Sequence, residues 1–260
     1  MADLTGFSLA ARLRAGETIY SGWCSLASPT IVEIAAREGF KAVALDGQHG
    51  LWTPQDIRIG IAAIRQGGGA PIVRIPLEDF GLASKSLDWG AEGIVAPMIN
   101  NVADAKRFAD ACKFPPLGER SWGPHRALML AGIGDMKAYL RDANDNIVTI
   151  AMIETQEAMD NLDKVAAVPG IDVLFVGPSD LSITLTKGAE LDPHSKLVEA
   201  ANDKVLAAAK KAGKLAGLNC ATAERAVEVS KRGFRYCAVG NDLGFIRAAY
   251  ANAAKATQGA

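Results

Sequence analysis

Polar side chains that could support acid–base or metal chemistry follow the short apolar runs of this sequence. One run leads into a carboxylate and an imidazole, the next into a guanidinium, and two later runs into carboxylates. Apolar runs of this kind are typical of buried strands, and barrel enzymes carry their active sites at the carboxyl ends of such strands. In chain order these polar residues are Asp46, Gln48, His49, Arg74, Glu154, Ser179, Asp180, Asn219, Cys220, Asn241 and Asp242.

Two of the carboxylates, Glu154 and Asp180, could bind a hard divalent cation. Mg²⁺ and Mn²⁺ prefer oxygen ligands, keep several waters and need only one or two protein carboxylates beside the substrate. A structural role is the alternative, because Glu154 immediately precedes Thr155, where a helix is predicted to begin. Spacing alone leaves both interpretations open.

His49 follows a predicted strand, whereas His125 lies in a predicted loop and His194 at a predicted helix start. A histidine oriented by a carboxylate can act as a base near neutral pH, and Asp46 lies three residues before His49. A lone histidine is otherwise more often structural. A catalytic and a structural role both stay open here.

Arg74 follows Ile72 and Val73 in a run that should be buried on both faces. A buried guanidinium needs a partner, and carboxylates or an anionic substrate at a barrel mouth would provide one. A purely structural ion pair with Asp46 or Glu154 is the alternative.

Lysine placement discriminates between an imine mechanism and a metal-assisted one. Lys41 and Lys214 stand at the starts of predicted strands, and no lysine follows the carboxyl end of an apolar run. A Schiff-base nucleophile would have to lie at such an end. The sequence therefore favours a metal-assisted mechanism over an imine one.

Eight short apolar runs, rich in valine and isoleucine, must position these side chains. The runs lack clean alternation, which is typical of strands buried on both faces of a parallel sheet. Helix signals lie between them, at Ser28-Pro29 and Thr53-Pro54 and at the predicted caps Asn101, Thr155 and Thr222. The runs occupy residues 18–26, 38–50, 69–76, 89–101, 146–155, 168–180, 211–222 and 231–242.

Eight strand–helix units in 260 residues predict a (β/α)₈ barrel, since such barrels typically take about 250 residues. A doubly wound open sheet is the alternative, but no G-x-G-x-x-G follows the first run, and the glycines at 67–69 precede a strand. Composition is even and shows no linker. One domain spanning residues 1–260 is therefore predicted.

Charge and composition exclude several classes of protein. The chain has 28 Lys and Arg residues against 29 Asp and Glu, which gives no electrostatic case for nucleic acid or an anionic membrane. Arg12 and Arg14 interrupt the first apolar segment, so neither a signal peptide nor a membrane span is expected. Dispersed cysteines predict reduced, mostly buried thiols in a cytoplasmic protein. They are Cys24, Cys112, Cys220 and Cys237.

Six short segments occur in an order that is more specific than any one of them. They are LDGQHG (45–50), PIVRIP (71–76), PMINNVADA (97–105), PPLGERSWGPHRA (115–127), MIET (152–155) and VGPSDLS (176–182). Together they resemble the HpcH/HpaI family of metal-dependent class II pyruvate aldolases, in particular its 4-hydroxy-2-oxoheptanedioate and hydroxyketoacid aldolases. The resemblance extends from Phe7 to Ala256.

The resemblance implies a role for each matching residue. Glu154 and Asp180 would hold a divalent ion, Mg²⁺, Mn²⁺ or Co²⁺. Arg74 would contact the oxo group of a 2-oxo acid and stabilise its enolate. His49 would be the base, with Asp46 beside it.

Further implications concern the substrate carboxylate and the assembly. The backbone around Gly177, Pro178 and Ser179 would cradle that carboxylate. Asp88 would support the histidine and act across a subunit interface. The family is usually a hexamer built as a trimer of dimers with the last helix swapped, so residues 243–256 would pack on a neighbour.

The implied reaction is the reversible aldol cleavage of a 4-hydroxy-2-oxo acid to pyruvate, or hydroxypyruvate, and an aldehyde. Two positions depart from the family: Gln48 stands where many members have Glu, and Arg120-Ser121 where Arg-Gly is common. Both departures bear on aldehyde specificity more than on the core reaction. The natural aldehyde, the donor, the stereochemical preference and the metal stay open.

Three other functions are compatible with parts of the pattern. A barrel related to the citrate lyase β-subunit would cleave a CoA thioester, although no basic cluster for CoA phosphates follows the strands. A phosphate-binding isomerase is suggested by VGNDLG (239–244), because barrels often bind phosphate after the last strands. A barrel that binds an oxo acid without turnover would share the fold, since fold alone does not determine activity.

Overall fold

The apolar runs form strands in which nearly every residue is buried. In the computed structural model, which describes residues 6–258, eight parallel strands pair in chain order and the last pairs with the first, so the sheet closes. Each predicted run contains one strand, and the predicted (β/α)₈ barrel is confirmed. The strands are β1 (Ile19–Cys24), β2 (Ala42–Asp46), β3 (Ala70–Arg74), β4 (Gly93–Ala96), β5 (Val148–Ile153), β6 (Val173–Val176), β7 (Leu215–Cys220) and β8 (Tyr236–Val239).

Helices connect the strands and surround the barrel. They are α1 (Leu9–Arg14), α2 (Pro29–Arg37), α3 (Pro54–Gln66), α4 (Phe80–Asp88), α5 (Val102–Cys112), α6 (His125–Ala131), α7 (Met136–Asn146), α8 (Gln156–Asp160), α9 (Leu162–Ala166), α10 (Pro178–Leu185), α11 (Lys196–Lys211), α12 (Ala223–Arg232) and α13 (Asp242–Thr257). Several begin at the predicted caps: Thr53 and Asp56 form a capping box at α3, and Thr222 accepts a hydrogen bond from the Arg225 N–H at α12. The helix predicted to begin at Thr155 is divided into α8 and α9.

Side chains fill the barrel interior, and a second apolar layer lies between the strands and the helices. Neighbouring residues of β3 divide between the two layers, with Ile72 in the inner cluster and Val73 in the outer one. Gly217 leaves room for aromatic rings in the interior, since a Cβ there would lie 2.8 Å from the ring of Phe175 and 2.7 Å from the Tyr236 carbonyl. The interior is therefore a packed core rather than a channel.

The amino end of the barrel is closed by α1. Glu92, just before β4, is 2% exposed and accepts hydrogen bonds from the backbone N–H groups of Ser8 (2.7 Å) and Leu9 (2.8 Å). Arg65 Nη2 lies 3.3 Å from the same carboxylate. Because this end is closed, the mouth for chemistry is at the carboxyl ends of the strands.

The predicted positions of Lys41 and Lys214 and the predicted burial of the cysteines are confirmed. Lys41 and Lys214 immediately precede β2 and β7, at the amino end of the barrel. All four cysteines are free and buried. Burial raises the pKa of Cys24 and of Cys112 to about 12, which keeps both as neutral thiols.

Two predictions concern the chain as a whole. No helix within residues 6–258 is long and apolar enough to cross a membrane. The single domain over residues 1–260 stays a prediction, and residues 1–5 and 259–260 lie outside the described part of the chain.

Candidate active site

Asp46 and Arg74 form a buried ion pair at the carboxyl ends of β2 and β3, where they are register partners. Arg74 donates from Nε to Oδ1 (2.8 Å) and from Nη2 to Oδ2 (2.6 Å). The Trp23 indole donates to the same carboxylate (3.3 Å), and its ring lies 4.9 Å from the guanidinium carbon. Burial opposes ionisation of Asp46, but the hydrogen bonds and charge of Arg74 outweigh it and hold the Asp46 pKa below its usual value.

Asp46 therefore fixes one edge of the Arg74 guanidinium, which is the ion pair that the structural interpretation of Arg74 predicted. The other terminal nitrogen, Nη1, makes no hydrogen bond within residues 6–258. An arginine held in this way presents one donor in a defined direction. The ion pair and a role at the mouth are compatible, because different nitrogens serve them.

Asp46 also holds the turn that carries His49. Its Oδ1 accepts hydrogen bonds from the backbone N–H groups of Gln48 and His49, both at 3.1 Å. The carboxylate makes no hydrogen bond to the imidazole in the described part of the chain, so the expected orientation of the ring by Asp46 is not found. The His49 side chain is exposed at the rim. The Gln48 side-chain oxygen is buried without a partner among residues 6–258.

Glu154 directly follows β5 and is 3% exposed. Its Oε1 accepts a hydrogen bond from the backbone N–H of Met98 (2.8 Å), a residue with a φ of 54°. Thr155, and not Glu154, caps α8 by accepting from the Ala158 N–H (3.0 Å). Among the described residues, no Lys, Arg or His forms a salt bridge with Glu154, and Arg74 pairs with Asp46 instead. Glu154 is therefore neither a helix cap nor an ion-pair partner.

Asp180 brings a second negative charge to Glu154. Burial and the charge of Asp180 raise the pKa of Glu154 to about 7, against the opposing effects of the Met98 N–H and Arg74. Gly177 packs directly on this carboxyl group, since a Cβ there would clash with Glu154 Oε2. A divalent cation between the two carboxylates would relieve their repulsion.

The carboxylate pair fits a hard cation that keeps much of its water. Within residues 6–258, no three His, Cys, Asp or Glu side chains cluster as metal ligands. An ion here would therefore rely on Glu154, Asp180, water and substrate. Mg²⁺ and Mn²⁺ are commonly held in this way.

The start of α10 offers backbone donors at the mouth. Gly177 is its N-cap residue and provides no side-chain cap, while Ser179 and Asp180 in the first turn are exposed. First-turn N–H groups have no partner within a helix, and the helix dipole adds partial positive charge there. This terminus is suited to a substrate carboxylate.

Asp88 lies at the other end of the barrel. It ends α4, which returns the chain to the amino end of β4. Arg120 donates to Asp88 at 2.6 Å, and its guanidinium lies 4.6 Å from the ring of Phe114. Within one chain, Asp88 is therefore not brought to His49.

Residues that follow β8 have structural roles. Asp242 accepts hydrogen bonds from the backbone N–H groups of Ser25 (2.8 Å) and Leu26 (2.9 Å), which fixes the loop after β1. Asn241 caps α13 by accepting from the Gly244 N–H (2.6 Å). One of the first-turn donors that a phosphate would use is thereby occupied.

Two contributors to the site were not predicted from the sequence. Trp23 lies within a strand, where an indole is interpreted as core. Met98 contributes only a backbone N–H, which nearly every residue offers. Because Met98 follows Pro97 directly beyond β4, the sequence could have indicated a loop at the mouth here.

Known proteins resemble this chain in sequence and in structure. Residues 20–249 match the family described as HpcH/HpaI aldolase/citrate lyase. The hydroxypyruvate/pyruvate aldolase of Rhizorhabdus wittichii is 36% identical over 234 residues, covering 90% of this chain and 92% of that protein. The 4-hydroxy-2-oxovalerate aldolase of Novosphingobium aromaticivorans is 38% identical over 212 residues, 79% of each chain. The crystal structure of an HpcH/HpaI aldolase/citrate lyase family protein from Burkholderia cenocepacia superposes with a TM-score of 0.87 at 31% identity, covering 97% of this chain and 99% of that one.

Proposed function

Because the chain belongs to the HpcH/HpaI aldolase/citrate lyase family, we propose that it catalyses the reversible, metal-dependent aldol cleavage of a 4-hydroxy-2-oxo acid to pyruvate, or hydroxypyruvate, and an aldehyde. The two curated relatives described above are named aldolases, which are carbon–carbon lyases. The observation that carries the proposal is the pair of carboxylates Glu154 and Asp180, in which the charge of Asp180 helps to raise the pKa of the buried Glu154. Arg74, which Asp46 holds through two of its three guanidinium nitrogens, is the cation of the same site.

Glu154 and Asp180 would hold the divalent ion, which is Mg²⁺, Mn²⁺ or Co²⁺. When bound, the ion supplies Lewis-acid polarisation of the substrate ketone. The backbone N–H groups of Gly177 and Ser179, on either side of Pro178 at the start of α10, bind the substrate carboxylate and orient the 2-oxo acid. This arrangement fixes which face of the substrate meets the remaining groups.

His49 and Arg74 move the proton and stabilise the charge. In the condensation direction, His49 takes a proton from C3 of the 2-oxo acid, and the electron pair of the C–H bond delocalises onto the ketone oxygen. Arg74 Nη1 donates a hydrogen bond to that oxygen, where negative charge develops. C3 then bonds to the aldehyde carbon as the π bond of the aldehyde breaks, and the aldehyde oxygen takes up the proton that His49 removed and becomes the C4 hydroxyl. Cleavage reverses each transfer.

A second copy of the chain would complete the site. Asp88 supports a histidine only if a neighbour presents it, because in one chain the two residues lie at opposite ends of the barrel. Of the residues of α13, only Asp242 is buried, so this helix extends from its own barrel with little cover. Both observations support a homo-oligomer, and the family resemblance supports a hexamer with α13 swapped between subunits.

Removal and return of the metal test the proposed function. Chelator-treated protein should form no aldol product from pyruvate and acetaldehyde, and Mg²⁺, Mn²⁺ or Co²⁺ should restore the reaction. Equal activity of the chelator-treated protein would contradict the mechanism. So would covalent attachment of pyruvate on borohydride treatment, which is the signature of an imine.

A further inference from the structure

A cavity of about 470 Å³ lies beside the candidate site, at the carboxyl ends of β6, β7 and β8. Pro178 and Ser179, at the start of α10, form part of its wall. Ser179 directly precedes Asp180, and consecutive Cα atoms are about 3.8 Å apart. The cavity therefore begins next to a candidate metal carboxylate and extends away from it.

Asn202 of α11 lines this cavity and is 1% exposed. Neither its Nδ2 donor nor its Oδ1 acceptor has a hydrogen-bond partner within residues 6–258. A buried polar atom without a partner is destabilising, because it gives up its hydrogen bonds to water and gains none. A side chain with both kinds of atom unpaired fits a ligand group that donates and accepts at once, which a hydroxyl does and a carboxylate does not.

The charge of the wall also favours a neutral polar ligand. Among residues 6–258, no Asp or Glu lines the cavity, and its arginine, Arg225, is already paired with Glu199 and with Glu228, the latter at 2.8 Å. The other basic side chain of the wall, His194, is exposed to solvent. A carboxylate or phosphate would therefore meet no unpaired guanidinium. The other polar groups at the wall include the amide side chain of Asn219 at the end of β7.

Apolar side chains complete the wall. Leu218 lies on the β7 side and Phe245 on the α13 side of the cavity. A short carbon chain would contact these side chains while its hydroxyl groups meet the amides. Apolar contacts with a few placed polar groups are typical of pockets that bind small molecules.

We propose that this cavity holds the hydroxylated tail of the acceptor aldehyde and that Asn202 hydrogen-bonds to one of its hydroxyl groups. The inference rests on the proposed aldolase function and names the class of aldehyde. The 2-oxo acid lies at Glu154, Asp180 and Arg74. The aldehyde half extends past Asn219 at the end of β7 into the cavity, so Asn202 is a specificity-determining residue.

Selectivity between two aldehydes of equal carbon number tests the proposal. With pyruvate as donor, the wild-type protein should use glyceraldehyde with a kcat/KM at least about 10-fold above that for propanal, which lacks both hydroxyls. Asn202→Leu keeps the volume and removes the amide, so the ratio should fall towards one. Asn146→Leu is the matched control. Asn146 is also 1% exposed with an unpaired Oδ1, but it ends α7 at the amino end of the barrel, so its replacement should keep the ratio.

A second variant guards against loss of folding in Asn202→Leu. Ala221 is exposed at the cavity wall, so Ala221→Trp should fold and fill the space. It should abolish the preference for glyceraldehyde. It should also abolish the saturation-transfer NMR signal of glyceraldehyde with chelator-treated protein, a measurement that needs no turnover.

The outcomes separate this inference from the proposed function. If the wild-type protein forms no aldol product with acetaldehyde either, the proposed function fails. If it forms that product but Asn202→Leu and Ala221→Trp both keep the wild-type ratio, the cavity holds only water and the inference is overturned. A higher kcat/KM for succinic semialdehyde than for glyceraldehyde in the wild-type protein would also overturn it.

Discussion

Arg65 has surroundings similar to those of Arg74 but lies at the other end of the barrel. A comparison of the two therefore separates a catalytic role of Arg74 from its contribution to stability. Arg74 and Arg65 are both largely buried, and each pairs with a carboxylate. The guanidinium carbon lies 4.9 Å from an aromatic ring centre for Arg74 and 4.7 Å for Arg65. Arg74 faces the mouth, whereas Arg65 closes the amino end.

Replacing Arg74 by lysine should lower kcat by about 10²-fold, because an ammonium cannot keep the bidentate pair with Asp46 and also direct a donor at the enolate oxygen. Arg65→Lys should lower the free energy of unfolding and leave kcat close to the wild-type value. Steady-state kinetics and urea unfolding of both variants check this. Equal loss of kcat in the two variants would show that Arg74 acts only through folding.

Asp46 should make stability depend on pH. Its pKa is lowered in the folded chain, so its contribution is complete above the unfolded pKa of about 3.9 and is lost as pH falls through the folded pKa. At neutral pH, Asp46→Asn should cost about 3–5 kcal/mol, because it leaves the buried Arg74 unpaired. The difference in unfolding free energy between wild type and variant should shrink below about pH 4.

Asp163 provides the control for this pH dependence. It pairs with Lys211 at 2.8 Å, but the two side chains are 65% and 74% exposed. Asp163→Asn should therefore cost less than about 1 kcal/mol at neutral pH. A cost for Asp46→Asn that is the same at pH 3 and pH 7 would refute the link to its ionisation.

At the scale of elements, the close approach of β5 and the start of α10 holds Glu154 in place. Gly177 has an ordinary φ of −95°, so its backbone would accept alanine. A Cβ would nevertheless clash with Glu154 Oε2 and lie 2.9 Å from the methyl carbon of Met152. Glycine is required here by space and not by backbone conformation.

Gly177→Ala should therefore displace the Glu154 carboxylate and weaken metal binding by about 10-fold or more, since a ligand held out of place typically loses that much. Isothermal titration with Mn²⁺ measures this without turnover. Gly134→Ala is the control, because a Cβ at Gly134 meets nothing within 4 Å. Unchanged Mn²⁺ affinity in Gly177→Ala would remove Glu154 from the metal site.

The positions of the elements explain why much of the site could be predicted. Asp46, Arg74, Glu154 and Asp180 each stand at or just beyond the end of an apolar run, and a closed parallel barrel brings all such ends to one mouth. Their pairing partners could be predicted only in part, since an ion pair of Arg74 with Asp46 was one alternative beside a pair with Glu154. Asp46 was expected beside the imidazole of His49, but Arg74, its register partner on the next strand, takes both carboxylate oxygens.

Other contributions depend on three-dimensional contacts that leave no pattern in the sequence. The Met98 N–H reaches Glu154 only because residue 98 adopts a positive φ. Glu92 is an ordinary surface residue by type, yet it binds two backbone N–H groups of the closing helix. Asp242 resembled a site residue because it follows β8, and its carboxylate instead fixes the loop after β1.

At the scale of the whole molecule, α13 is the element that one chain leaves uncovered. Leu243, Ile246 and Tyr250 recur on one stripe, and Tyr250 is 76% exposed. Most of the stability of a protein helix comes from packing of its apolar face, so the 16 residues of α13 depend on tertiary or quaternary contacts. A second copy of the chain would cover the stripe, and a neighbouring copy is also what the proposed role of Asp88 at His49 requires.

If the protein forms the proposed hexamer, Tyr250→Lys should shift it to smaller species and lower aldol activity with it, since the proposed shared sites would lose the neighbour's Asp88. Asn252→Lys is the control. This substitution adds the same charge, but residue 252 lies on the opposite face of α13. Light scattering coupled to size-exclusion chromatography, together with aldol assays on each fraction, measures both effects. A monomeric wild-type protein with full activity would contradict the shared site. If Tyr250→Lys dissociates without losing activity, the α13 interface is supported but Asp88 takes no part in the chemistry.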